Sequence, residues 1–99
     1  YPESRYSGAQ VFYADTAGSQ QLAKELQSGF AATVNQGSNR KSKKADGIYL
    51  MEHISCTGIL VECGFLSNPE EEARLRSAEY QKKICCVIAS SVSTYLSNT

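Results

Sequence analysis

The apolar positions along the chain change their spacing between residues 9 and 34. Residues 9–13 (Ala-Gln-Val-Phe-Tyr) alternate and favour extended backbone, which predicts a short strand. After the turn residues 15–18, an apolar side chain recurs every four positions, at Leu22, Leu26, Phe30 and Val34. This spacing predicts an amphipathic helix of about four turns that begins near Ser19, whose hydroxyl suits the N-cap position.

The middle of the chain is polar and basic. Residues 35–39 (Asn-Gln-Gly-Ser-Asn) favour turns, so the helix should end there. Residues 40–44 (Arg-Lys-Ser-Lys-Lys) carry four positive charges in five positions and predict a loop. Such a loop is either simply solvated or helps to attract an anionic substrate. Residues 48–51 (Ile-Tyr-Leu-Met) form a second apolar run of strand length, and we expect a strand there.

The strongest strand signal lies at residues 58–66, which are mostly apolar and do not alternate. Such a run is typical of a strand buried on both faces, in a sheet that helices cover on both sides. Asn68 then suits the N-cap of a new helix and Pro69 its first position. A last helix has a second N-cap at Ser77 and a stripe that runs through Tyr80, Ile84, Val87, Ile88, Ser91 and Tyr95.

These elements predict α/β architecture. We expect a partial three-layer α/β/α sandwich of about three strands with flanking helices, so that residues 1–99 form one compact unit or part of a larger one. A sheet of three strands is narrow and leaves at least one edge bare. The chain could associate with another chain through such an edge.

Composition narrows the function classes. Ten basic and ten acidic side chains give a formal net charge of zero, so no overall field would draw the chain to nucleic acid. No apolar stretch approaches the roughly 20 residues that cross a bilayer, and the first residues lack the layout of a secretory signal. The cysteines, Cys56, Cys63, Cys85 and Cys86, lack the paired spacing of zinc ribbons. We interpret Cys63 and one of the adjacent pair as small buried residues, and a cysteine-based zinc protein is the least favoured hypothesis.

Glu62 is the candidate for chemistry. It directly follows the apolar residues 59–61, so it should lie at the carboxyl end of a buried strand, where open α/β sheets place their sites. Burial raises the pKa of a carboxyl group and suits it to transfer protons near neutral pH. From position alone, a structural glutamate that binds the turn at Gly64 or pairs with an arginine is an equal alternative.

A longer motif surrounds Glu62. Residues 61–71 (Val-Glu-Cys-Gly-Phe-Leu-Ser-Asn-Pro-Glu-Glu) closely resemble the C-terminal signature of the zinc-dependent N-acetylmuramoyl-L-alanine amidases, and the segments 8–13, 19–23 and 48–51 resemble the family's preceding elements. The resemblance covers nearly all of the chain, and its details lean toward the spore-cortex amidases of endospore formers. It implies that residues 1–99 are the C-terminal portion of a single amidase catalytic domain.

The resemblance implies a mechanism. Family members hold one Zn²⁺ with two histidines and a glutamate, and the glutamate that corresponds to Glu62 passes a proton from the metal-bound water to the leaving amine. The substrate is peptidoglycan, cut between N-acetylmuramic acid and L-alanine, which places the activity outside the cytoplasm in the cell wall or spore cortex. Arg40 and Asn68 are candidate substrate-binding residues, Arg40 for a stem-peptide carboxylate.

The sequence departs from the family pattern in its metal ligands. The only histidine, His53, follows a segment that carries no ligand in the family, and we expect an ordinary polar residue there and the metal ligands upstream. The chain alone should therefore be inactive. A different hypothesis is a non-catalytic module of the same fold that binds the cell wall or a partner protein.

Overall fold

The computed structural model of the chain describes residues 8–35, 37–64 and 68–99. Along them lie, in order, β1 (Gln10–Tyr13), α1 (Ser19–Ala32), β2 (Lys43–Lys44), α2 (Tyr49–His53), β3 (Ile59–Glu62), α3 (Pro69–Leu75) and α4 (Ala78–Ser97). The prediction of an α/β fold with about three strands is confirmed. Within the described ranges, every helix is too short or too polar to span a lipid bilayer.

The sheet is built around its first strand. β1 lies between β2, to which it is parallel, and β3, to which it is antiparallel. Val11 is opposite Val61, and Gln10 is opposite Glu62. Because side chains alternate along a strand, the two valines share one face of the sheet and the two polar residues share the other. In the described part of the chain, β2 and β3 are edge strands, whereas association through them stays a prediction.

The main core lies between the valine face of the sheet and the helices α1 and α4. Its buried residues are Ala9, Val11, Leu22, Ala23, Leu26, Phe30, Tyr80, Ile84 and Val87. The predicted stripes of both long helices are thus confirmed. The first helix is slightly shorter than its stripe, because it ends at Ala32 while Val34 packs against the core from beyond the helix end.

A smaller cluster covers part of the opposite face. Its members are Phe12, Ala14, Ala45, Ile48, Met51 and Ile54. Helices therefore flank both faces, as the three-layer prediction requires, but the second layer is thin. Leu60 of β3 is 37 % exposed, and the other residues of that strand are only partly buried. The prediction of a strand buried on both faces was wrong, because α2 is the one helix of the described residues that covers this side of the sheet.

The strand predicted at residues 48–51 was also wrong. Ile48 is the N-cap of α2, Met51 is buried, and Tyr49 and Leu50 between them are 76 % and 67 % exposed. A run of four apolar residues is long enough for either element, and the spacing of three between Ile48, Met51 and Ile54 is helical. The third strand is β2, inside the basic segment predicted as a loop.

Two of the three predicted N-caps are confirmed. The Asn68 side chain accepts backbone N–H groups at the start of α3, and Ser77 does so at the start of α4. The prediction for Ser19 was wrong, because Gly18, with a φ of 84°, is the N-cap of α1. The buried Ser19 hydroxyl instead accepts the N–H of Gly58 at 2.9 Å, which fixes the approach to β3.

Buried amide side chains complete the hydrogen bonding of the chain at the start of β1. The Asn35 side chain accepts the N–H of Ala9 and donates to its carbonyl oxygen, both at 2.8 Å. Gln27 accepts the N–H of Val11 at 2.8 Å and donates to the Ala9 carbonyl at 3.0 Å. These two amides take the place of a neighbouring strand where β2 does not reach.

The cysteines differ from prediction at one position. Cys85 and Cys86 are both exposed, so the expectation that one of them is buried was wrong. The buried positions of α4 include Ile84 and Val87, and the two residues between them point outward. Cys63 is partly buried and packs against the main core.

Candidate active site

Glu62 is the last residue of β3 and is only partly buried. Its side chain projects from the face opposite the main core, next to Leu60 along the same strand face. Among the described residues, no hydrogen bond or ion pair engages its carboxylate. The carboxylate therefore lies at the end of the sheet with partial access to solvent, where water or a bound substrate can come within hydrogen-bond reach.

Arg40 lies close to the partner of Glu62 across the sheet. Gln10, the residue opposite Glu62, is buried, and its side-chain oxygen accepts an N–H of the Arg40 guanidinium at 3.0 Å. The Gln10 amide nitrogen donates to the carbonyl oxygen of Lys41 at 2.9 Å. Arg40 is thus bound to the residue that lies opposite Glu62 in the sheet.

The backbone directly after Glu62 is held by the last helix. The Tyr80 hydroxyl donates to the carbonyl oxygen of Cys63 at 3.0 Å. Burial raises the pKa of the Tyr80 phenol, and the negative charge of Glu71 adds to the effect, against the opposing charge of Arg74. Burial also raises the pKa of the Cys63 thiol, with a smaller contribution from Cys85. Both groups are therefore neutral near pH 7.

Glu71 is a buried carboxylate that sequence reasoning missed. Its side chain is fully buried, accepts the N–H of Gly8, and lies 3.1 Å from a guanidinium nitrogen of Arg74. It also fills the space beside Gly64, where an added Cβ would be 2.8 Å from its Cγ. The sequence suggested only a charge near the helix start, although the third helical position after an N-cap is where a glutamate often turns back to bind backbone N–H groups.

Asn68 has a confirmed structural role. Its side-chain oxygen accepts the N–H groups of Glu70 at 3.0 Å and Glu71 at 3.1 Å. A contact between Asn68 and substrate stays a prediction. Residues 65–67 of the motif, which the sequence pattern assigns to the end of the strand and the approach to the helix, lie outside the described residues.

The described residues do not fit a zinc ion. They contain no group of three or more His, Cys, Asp or Glu side chains that could hold a metal. His53 lies in α2, its ring stacks on Tyr49 with centroids 3.9 Å apart, and its Nδ1 is 2.7 Å from the Tyr49 carbonyl oxygen. The neighbouring Glu52 accepts the N–H of Gly47 at 3.0 Å. Both side chains are therefore engaged locally, within α2 and the turn before it.

A carboxylate at the end of a sheet strand, followed by a capped helix, is the arrangement that the motif predicts. Residues 1–94 match the N-acetylmuramoyl-L-alanine amidase family, so the chain belongs to this family. The resemblance noted at residues 61–71 is thereby confirmed at the level of the family.

Individual relatives support the same family assignment. The chain is 37 % identical over 95 residues to the germination-specific N-acetylmuramoyl-L-alanine amidase of Bacillus subtilis (strain 168), a match that covers 95 % of the chain and 40 % of the relative. It is 38 % identical to the CwlD amidase of Clostridioides difficile, solved in complex with the GerS lipoprotein, with a TM-score of 0.93 over 100 % of the chain and 51 % of that structure. The amidase AmiC2 of Nostoc punctiforme is 29 % identical, with a TM-score of 0.83 over 96 % of the chain and 51 % of that structure. The chain therefore spans about half the length of these relatives or less.

Proposed function

We propose that this chain is the C-terminal portion of an amidase catalytic domain that hydrolyses the bond between N-acetylmuramic acid and the L-alanine of the peptidoglycan stem peptide. The observation that carries the proposal is the position of Glu62, a partly exposed carboxylate at the carboxyl end of β3 within the family match. A structural glutamate would be expected to bind backbone or cationic groups, and it is Glu71 that does so at this end of the sheet.

Glu62 is assigned the proton transfers of the reaction. Amide nitrogen is a poor leaving group until it is protonated, so hydrolysis needs a group that takes a proton from the attacking water and returns it to nitrogen. The Glu62 carboxylate can do both from its solvent-accessible position. The zinc ion that the resemblance implies does not fit the described residues, and its ligands are proposed to lie upstream in the complete domain.

Arg40 is proposed to bind a carboxylate of the stem peptide. Its side chain lines a cavity of about 420 Å³ between α1 and the basic segment, together with Lys24 and Lys41. A lining of three cationic side chains favours an anionic group, and guanidinium can bind a carboxylate through two parallel hydrogen bonds. Asn68 is proposed as a second substrate contact.

The biological setting is proposed from the relatives. One of them carries the name germination-specific amidase, which supports action on the peptidoglycan of the spore cortex, outside the cytoplasm, during germination. Another was solved with a lipoprotein, which supports a search for a lipoprotein partner of this chain.

The test is Glu62→Gln in the complete, zinc-loaded domain. We expect turnover of purified muropeptides to fall by about 100-fold or more, with zinc content and circular dichroism unchanged, because only the proton transfer is lost. Glu70→Gln is the matched control, since Glu70 is exposed in the first turn of α3 and should leave turnover at the wild-type level.

Wild-type turnover in the Glu62→Gln protein would refute the proposed role. If the unmodified complete domain binds muropeptides but cleaves none, the non-catalytic binding module becomes the better description. The 99 residues alone should bind no zinc stoichiometrically and cleave nothing.

A further inference from the structure

The two residues after Glu62 are attached to the helical layer by different side chains. β3 ends at Glu62, so Cys63 and Gly64 have left the ladder and are not held by strand pairing. Tyr80 of α4 holds the first of them and Glu71 of α3 packs against the second. A carboxylate moves with its own peptide, so contacts at the following residues restrict where the Glu62 side chain can go.

Tyr80 is itself held firmly. It is 6 % exposed and belongs to the main core, and its N–H is bound by the Ser77 cap at 3.1 Å. Its ring lies under the Arg74 guanidinium, 6.0 Å from the ring centroid. Because burial raises the pKa of the phenol, the hydroxyl stays protonated and remains a donor to the Cys63 carbonyl at and above neutral pH.

Glu71 joins three parts of the fold. It is fully buried, accepts the N–H of Gly8 just before β1, and contacts Gly64 just after β3. Arg74, one turn later on α3, lies 3.1 Å from the second carboxylate oxygen. The start of β1 and the end of β3 are neighbours because Gln10 pairs with Glu62. Glu71 therefore braces both strands at the end of the sheet that carries the candidate catalytic group.

We propose that Tyr80 and Glu71 are positioning residues for the reaction, which fix the Glu62 carboxylate by holding the backbone at Cys63 and Gly64. This inference rests on the proposed function of Glu62. Catalytic groups must be held to within about 0.5 Å of their productive geometry, and a displacement of about 1 Å can lower a rate by about 100-fold. A single hydrogen bond to the next peptide is well placed to supply that restraint.

The main test is Tyr80→Phe in the complete, zinc-loaded domain. This change removes only the hydroxyl and should lower kcat by about 10-fold with KM within about 2-fold, because substrate still binds while the carboxylate is less well placed. The matched control is Ile84→Val, one turn further along the same buried stripe of α4. It should lower the melting temperature to a similar extent and leave kcat unchanged.

All rates are normalised to zinc content and to the folded fraction measured by circular dichroism. Equal kcat values for Tyr80→Phe and Ile84→Val would overturn the inference, because Tyr80 would then act on stability alone. A second pair keeps the test independent of one variant: Glu71→Gln preserves the side-chain volume beside Gly64 and should retain a higher kcat than Glu71→Ala. The reverse order would also overturn the inference.

Failure of the inference is separable from failure of the proposed function. Full activity in Glu62→Gln overturns the role of Glu62 itself, whatever the Tyr80 variants do. Loss of activity in Glu62→Gln together with a wild-type kcat in Tyr80→Phe leaves the proposed function intact and removes only the positioning role.

Discussion

Replacement of Asn35 by alanine should destabilise the domain more than any exposed substitution in the same loop. Asn35 is 5 % exposed, and its side chain binds both the N–H and the carbonyl oxygen of Ala9, which is itself fully buried. Alanine leaves the N–H of Ala9 without this acceptor, at a cost of about 1–3 kcal/mol for a buried unsatisfied group. The carbonyl keeps its bond from Gln27, so the second loss is smaller, about 1 kcal/mol.

The expected decrease in the free energy of unfolding is therefore about 2–4 kcal/mol. Urea unfolding of the complete domain measures it as a lower midpoint at an unchanged slope. Asn39→Ala is the control, because Asn39 is exposed and its loss should change stability by less than about 0.5 kcal/mol. If both variants unfold at the wild-type midpoint, the buried amide is not a substitute for strand pairing and the reasoning fails.

Two further predictions concern the surroundings of Glu62. Gly64→Ala should lower stability by about 1–3 kcal/mol by overpacking, because the new Cβ would be 2.8 Å from Glu71 Cγ; an unchanged melting temperature would contradict this contact. Alkaline pH should also destabilise the fold, since the folded pKa values of Cys63 and Tyr80 are raised above their ordinary 9.0 and 10.0. The contribution of each group to the free energy of unfolding is complete below its ordinary pKa and is lost as pH rises through its raised folded pKa. Unfolding free energy against pH measures the loss, and Tyr80→Phe should remove the part that begins above pH 10.

The long amphipathic helices could be predicted from sequence because their stripes are long and regular. The stripe of α4 and the caps at Asn68 and Ser77 match the structure closely. The short elements could not be predicted. β2 is two lysines whose pairing depends on backbone groups, and α2 is a five-residue helix whose apolar run has the length of a strand. In both cases the neighbouring chain decides the conformation, and periodicity carries too little information.

The candidate site could be predicted only in part, because some of its features are local in the sequence and others are not. Glu62 could be located because a carboxylate after an apolar strand is a local feature of the sequence. The residues that hold the backbone after Glu62 could not be located from sequence, because Glu71 and Tyr80 reach it from two separate helices. Glu71 is one of three consecutive glutamates that all suit a helix start, so the sequence does not show which of them is buried. The packing around Gly64 distinguishes it in the structure.

The bond between Gly8 and Glu71 joins residues 63 positions apart. Gly8 is synthesised well before Glu71, so the segment that leads into the central strand can form this bond only after the intervening residues have been made. Contacts of such long sequence separation form late, after the entropy of closing the loop has been overcome. The brace beside the candidate catalytic group therefore cannot form before α3 has been synthesised.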